Sequence, residues 1–167
     1  MKNKLSISVL IILVGLASTL SACGLNLERN PDGSIRLETN ITEQSLQNEI
    51  DIAIADPLIT DFSTDLREGY VFVSADRKRV GSDVIDTMDF RLDLGESDGH
   101  LTAVISDVQL NDIPIDEARV AVWNQTIATR LERAGKRNPN SSLQEVLITG
   151  DAITMVWRIE TAQSRGE

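Results

Sequence analysis

The alternation of apolar and polar residues is cleanest between Met88 and Leu94, where Met88, Phe90, Leu92 and Leu94 are separated by Asp89, Arg91 and Asp93. A period of two sends successive side chains to opposite faces, so this segment predicts a strand with one buried and one solvated face. Leu58, Thr60, Phe62, Thr64 and Leu66 share a face in the same way, with Asp61 and Asp65 on the other. Arg67-Glu68-Gly69 predicts a turn, and Tyr70 to Ala75 a second strand, apolar on both faces at Tyr70, Val71, Phe72 and Val73. The chain reverses over Gly95–Gly99 into a strand from Leu101 to Leu110. Residues 143–149 and 152–160 predict a closing pair, joined by Gly150-Asp151 in a type II′ turn.

Helical spacing occurs twice. Thr42 suits the cap of a helix whose first turn holds Glu43 and Gln44, where a carboxylate meets the positive helix end. Leu46, Ile50, Ala53 and Ile54 form one apolar stripe, and Asp56-Pro57 disfavours continuation, which predicts a helix over 43–55. Asn111-Asp112-Ile113-Pro114 breaks the sheet before a second helix, about 115–134. It carries Val120, Trp123, Ile127, Leu131 and Ala134 on one side, and Gly135 follows as a glycine C-cap. Each helix has to bury its stripe against an apolar sheet face. The expected fold is therefore α+β: a curved antiparallel sheet of about five to seven strands wrapped around two amphipathic helices, in a single domain over 35–160. Asn30-Pro31-Asp32-Gly33 is a strong turn sequence. It leaves 23–34 as either a short hairpin or a tether, while 161–167 read as a disordered tail.

The N-terminus has a different pattern. Met1-Lys2-Asn3-Lys4 is basic, Leu5–Leu20 is apolar, and Leu20-Ser21-Ala22-Cys23 follows. Those are the marks of a secretory signal over 1–22, and the tetrad resembles the bacterial lipobox, in which the cysteine receives diacylglyceryl. An uncleaved anchor is the competing expectation, but the apolar run is short for a span of roughly 20 residues. Cys23 is the one cysteine, so no internal disulfide can form, and lipidation accounts for the unpaired thiol. Two acyl chains anchor firmly where one binds reversibly. The expected product is an extracytoplasmic lipoprotein held to the cell envelope through Cys23.

Without the leader the chain has 14 basic and 26 acidic residues, a net charge of −12. Such a surface is repelled by phosphate backbones, which argues against nucleic acid as a partner. The short basic run Arg77-Lys78-Arg79 reads as a solvated strand end rather than a membrane patch. His100 is the one histidine, so no His-rich metal site is possible, and no Gly-x-Ser-x-Gly elbow supports a Ser–His pair. Asp83, Asp86, Asp89, Asp93, Glu96 and Asp98 lack the spacing of a calcium loop and read as a solvated face. There is no glycine-rich phosphate loop. A pair of carboxylates for glycoside cleavage stays open, although sugar sites lean on aromatic rings and this chain has only six. The residues thus point to no catalytic group, no metal and no cofactor.

Three segments carry a resemblance: Ile41-Thr42-Glu43-Gln44-x-Leu46-x-Asn48, Val108-Gln109-Leu110-Asn111-Asp112-Ile113-Pro114-Ile115 with Asn124 beyond it, and Val146-x-Ile148-x-Gly150 through Ile153 and Met155. In order and spacing they resemble the LmeA-like family of exported lipid-binding proteins and related bacterial lipoproteins of unassigned role. The resemblance covers roughly 35–160. It implies half of a tubular lipid-binding module, with acyl chains of a phospholipid-like molecule lodged between helix and sheet and no catalytic residues. The helices would line that groove with Leu46, Ile50, Val120, Trp123, Ile127 and Leu131. The strands would contribute Phe62, Phe72, Met88, Phe90, Leu92, Met155 and Trp157. Asn124 would be either a structural hydrogen-bonder or a headgroup contact. Periodicity does not separate a hollow interior from a filled one, so a solid-cored adaptor lipoprotein that docks a protein partner remains the alternative.

Overall fold

The computed structural model describes residues 24–53, 58–137 and 139–164, with backbone alone for Gly24 and 49–53. The leader, Cys23 and the Ile50 side chain lie outside the described residues. The elements run β1 (Gly24–Arg29), β2 (Ile35–Thr42), α1 (Glu43–Ala53), β3 (Ile59–Arg67), β4 (Tyr70–Lys78), β5 (Ile85–Ser97), β6 (His100–Leu110), β7 (Ile113–Pro114), α2 (Glu117–Gly135), β8 (Ser141–Ile148) and β9 (Ala152–Ile159). The chain is mostly β. In place of the one sheet expected, the strands form two antiparallel sheets, of four strands in the order β1-β2-β9-β8 and of five in the order β3-β4-β5-β6-β7. The reason is non-local: β2 pairs with β9 along its whole length, Ile35 opposite Ile159 to Thr42 opposite Ala152, which draws the first and last hairpins together. Residues 24–34 are accordingly a hairpin rather than a tether.

In the five-stranded sheet, Val71, Leu92 and Ile105 lie opposite one another, as do Val73 and Phe90, so all face one side and all are buried. Ile41, Leu143, Ile148, Ile153 and Met155 of the other sheet join the same core. The sheets meet where β8 passes the turns of the neighbouring hairpins. Leu143 N–H donates to Gly99 O at 2.8 Å and Gly69 N–H donates to Ile148 O at 3.0 Å.

Turn chemistry sets the hairpins. Asp98 and Gly99, with φ of 54° and 77°, link Ser97 to its partner His100, and Asn111 and Asp112, at 51° and 63°, link Leu110 to Ile113. Positive φ at both central residues is the type I′ arrangement, whose twist matches the flanking strands. The segment expected to break the sheet therefore adds the short β7. Gly150-Asp151 is not the II′ turn expected, because Gly150 is absent from the left-handed glycines. Thr149 closes that turn, its Oγ1 accepting from Asp151 and Ala152 N–H.

Thr42 caps α1, Oγ1 accepting from Ser45 N–H at 3.2 Å, and Asp116 caps α2 by accepting from Ala118 N–H at 3.0 Å. Gly135 is the last residue of α2 rather than a left-handed cap. It lies against the His100 ring, which would have to shift for a Cβ there, 2.7 Å from Nδ1. Residues 161–164 do not fray: Thr161 Oγ1 donates to Gly33 O and Arg29 Nη2 donates to Gln163 Oε1.

Candidate apolar binding face

Each helix lies beside one rim of the five-stranded sheet, and each is fixed there by a side-chain amide. On α1, Gln47 Nε2 donates to Phe62 O at 2.6 Å and Gln47 Oε1 accepts from Thr64 N–H at 3.0 Å. Glu43 Oε2 accepts from Leu66 N–H on the same strand. On α2, Asn124 Oδ1 accepts from Ile105 N–H at 2.8 Å and its Nδ2 donates to Ile105 O at 2.9 Å. A strand edge otherwise presents unpaired backbone groups, so the amides complete the ladder while holding the helices in register. Asn124 at 105 and Gly135 at 100 make α2 run antiparallel to β6. Glu43 at 66 and Gln47 at 62–64 do the same for α1 and β3. Asn124 is thus a structural hydrogen-bonder, both ends of its amide committed to backbone.

Most of the expected groove residues come together between these rails. Leu46, Phe62, Met88, Phe90, Leu92, Ile127, Leu131 and Met155 are buried in one cluster, with Val120, Trp123 and Trp157 half-buried against it. Phe72 does not join them. It pairs with Arg91 and Asp65 on the opposite face, because Val71 and Val73 point inward and strand parity sends Phe72 out. Burial along the inner face is uneven. It is nearly complete at Leu66, Val71, Leu92 and Ile105 and loosens toward both ends, to half-buried Leu94 and Leu101 by the Gly99 turn and to half-buried Ile59, Ala75, Leu110, Ile115 and Val120 at the other.

No family model and no curated protein matches the chain.

The outer face of the five-stranded sheet carries a concavity. A recess of about 270 Å³ is lined by Arg67, Tyr70, Phe72, Asp89, Arg91, Asp107 and Gln109. The Arg67 guanidinium lies 4.8 Å over the Phe72 ring and that of Arg91 lies 4.2 Å over Tyr70, contacts that attract a cation to the ring face. Tyr70 and Asp65 raise the proton affinity of Arg67, and Asp93 does so for Arg91. Both cations are therefore neutralised locally. The signal for this recess was present in the sequence as Arg67, Tyr70, Phe72 and Arg91, but only the pairing register places them side by side.

The acid-rich stretch supplies counter-charges. Asp86 takes two hydrogen bonds from Arg79, each 2.7 Å, and one from Asn111, which hold its carboxyl down at about 2. Lys78 pairs with Asp83, so Lys78 and Arg79 both meet carboxylates of their own hairpin. Among the described residues, no three His, Cys, Asp or Glu side chains gather as a metal site, and no helix is long and apolar enough to cross a membrane. His100 is exposed at the start of β6.

Proposed function

We propose that the chain is a membrane-tethered, extracytoplasmic lipoprotein whose domain holds a lipid or other apolar ligand between its helices and the inner faces of its sheets, without catalysis. The observation that carries this is the loosely covered apolar end of the inner face, away from β8. Apolar side chains continue from the closed core past Met88 into half-exposed Ile59, Ala75, Leu110, Ile115 and Val120, between the rails set by Gln47 and Asn124. In this reading the two sheets act together as the curved wall expected for half of a tubular lipid-binding module, as the resemblance to LmeA-like proteins implies. The lining is aliphatic, which suits a flexible hydrocarbon chain. The anchor is diacylglyceryl on Cys23.

Titration of the Cys23→Ser chain with phospholipid vesicles or micellar lipid, read by Trp123 and Trp157 fluorescence, tests the reading. Both rings border the core and are half-buried, so an entering acyl chain alters their surroundings. A saturable change is expected. Emission indifferent to added lipid would remove the ligand from the proposal.

One observation favours a second reading. Ile127, Leu143 and Ile153 are 2%, 1% and 0% exposed, as in a solid core. In that case the domain is an adaptor lipoprotein that docks a protein partner, and the titration comes out flat.

A further inference from the structure

We propose that β1 itself is the membrane-seating element: Leu25 and Leu27, at the exposed edge of the four-stranded sheet's apolar face, lie against the bilayer surface beside the anchor. This rests on the anchor at Cys23 proposed above. Cys23 is joined directly to Gly24, the first residue of β1, so no flexible spacer separates the anchor from the folded domain. Two residues of chain reach at most about 7 Å, which holds Leu25 within that distance of the lipidated residue.

β1 is the outermost strand of its sheet, with Leu25 and Leu27 48% and 64% exposed. They are not on the polar outer face. Leu25 lies opposite Thr39, which lies opposite Met155, and Leu27 lies opposite Leu37, which lies opposite Trp157. Neighbours opposite one another share a face, so the two leucines extend the row that ends in buried Met155. The alternate residues, Asn26 and Glu28, go to the other side with Arg36 and Glu38, which form an ion pair there.

An edge strand displaying leucines in water is a template for aggregation unless something covers it. Acyl chains fixed one residue away put a bilayer within reach of that stripe. Headgroups and interfacial water can meet the open backbone edge, and the half-buried Trp157 in the same row suits an interface, where indole is favoured. The outer face, with its ion pairs among Arg36, Glu38, Arg158 and Glu160, stays in water.

The test uses the full lipoprotein in dioleoylphosphatidylcholine vesicles. Lipidation occupies the Cys23 thiol, so Leu27→Cys or Leu25→Cys gives a single site for an environment-sensitive dye. Val122→Cys, 63% exposed on α2, serves as the solvent reference. With the protein floating with the vesicles, labels at 25 and 27 are expected to shift to the blue and to be quenched by doxyl lipids, and the label at 122 to do neither. Flotation with water-like emission at 25 and 27 overturns the seating while leaving the anchor in place. A blue-shifted label that doxyl lipids fail to quench assigns the stripe to a second copy or a protein partner and equally overturns it. Protein that does not float removes the anchor and the seating together.

Discussion

Gln47 and Asn124 each meet a backbone N–H and a backbone C=O of a sheet rim with one amide. Asn124→Ala leaves both Ile105 groups without a protein partner in a part-buried place. The expected loss is about 1–3 kcal/mol, read by urea denaturation. Asn124→Asp keeps the acceptor for Ile105 N–H but faces a carboxylate oxygen to Ile105 O, so it is expected to cost at least as much. If both variants match the parent chain, the amide is not what holds α2. The two aromatic residues of β4 and β5 with opposite placements give a second contrast. Phe90 is 4% exposed in the core, and Phe90→Ala is expected to cost about 3–5 kcal/mol, the usual range for a buried ring. Phe72→Ala removes a half-exposed ring that meets an arginine instead, and a clearly smaller loss is expected in the same denaturation experiment. Strand parity alone decides that difference. The run Tyr70–Val73 has no period to show it in sequence, and only the partners Arg91 and Asp65 do.

Elements with a strong period were legible before any coordinates. Met88–Leu94 and the stripe of Val120, Trp123, Ile127 and Leu131 lie where their spacing places them, because one face is buried and a slip of register would expose it. Division into two sheets was not legible, because it depends on Ile35–Thr42 meeting Ala152–Ile159 across the length of the chain, a match no local pattern records. The pairing of Asn111 and Asp112 as a I′ turn was readable from their types but was obscured by Pro114, two residues beyond Asp112. That turn also takes part in an acid-sensitive junction. Asp86 binds Arg79 at the end of β4 and Asn111 beside β7, while Asn111 Oδ1 accepts from Thr87 N–H. With its carboxyl held near 2 against an ordinary value near 3.8, Asp86 stabilises the fold fully above that ordinary value. As pH falls, the unfolded chain takes up the proton first, so the contribution erodes below about 4 and is gone below about 2. Asp32, held near 2 first by the Ser34 hydroxyl and N–H and then by Arg158, behaves alike. Asp86→Asn is expected to flatten the acid limb of a thermal-stability profile in that window and to leave its shape above pH 5 unchanged. An unaltered acid limb would show that the junction does not carry the effect.

At the scale of the whole molecule, the proposed function joins the anchor, the rails and the apolar faces in one reading, contact with hydrocarbon. An acidic surface is repelled by anionic headgroups, so the membrane contact proposed above would come from apolar groups and the anchor rather than from charge. Of the groove residues read from sequence, those with clear periodicity gathered around the core, and Phe72 alone among the described ones went to the other face. Whether the interior admits a guest is a property of volume and compliance, which alternation of residue types does not encode. Native mass spectrometry settles it most directly. The Cys23→Ser chain, purified free of lipid and then incubated with an extract of bacterial envelope lipids, is expected to carry a one-to-one adduct of phospholipid mass that survives desolvation. A spectrum showing only the bare chain, with its fold intact by circular dichroism, would contradict lipid binding.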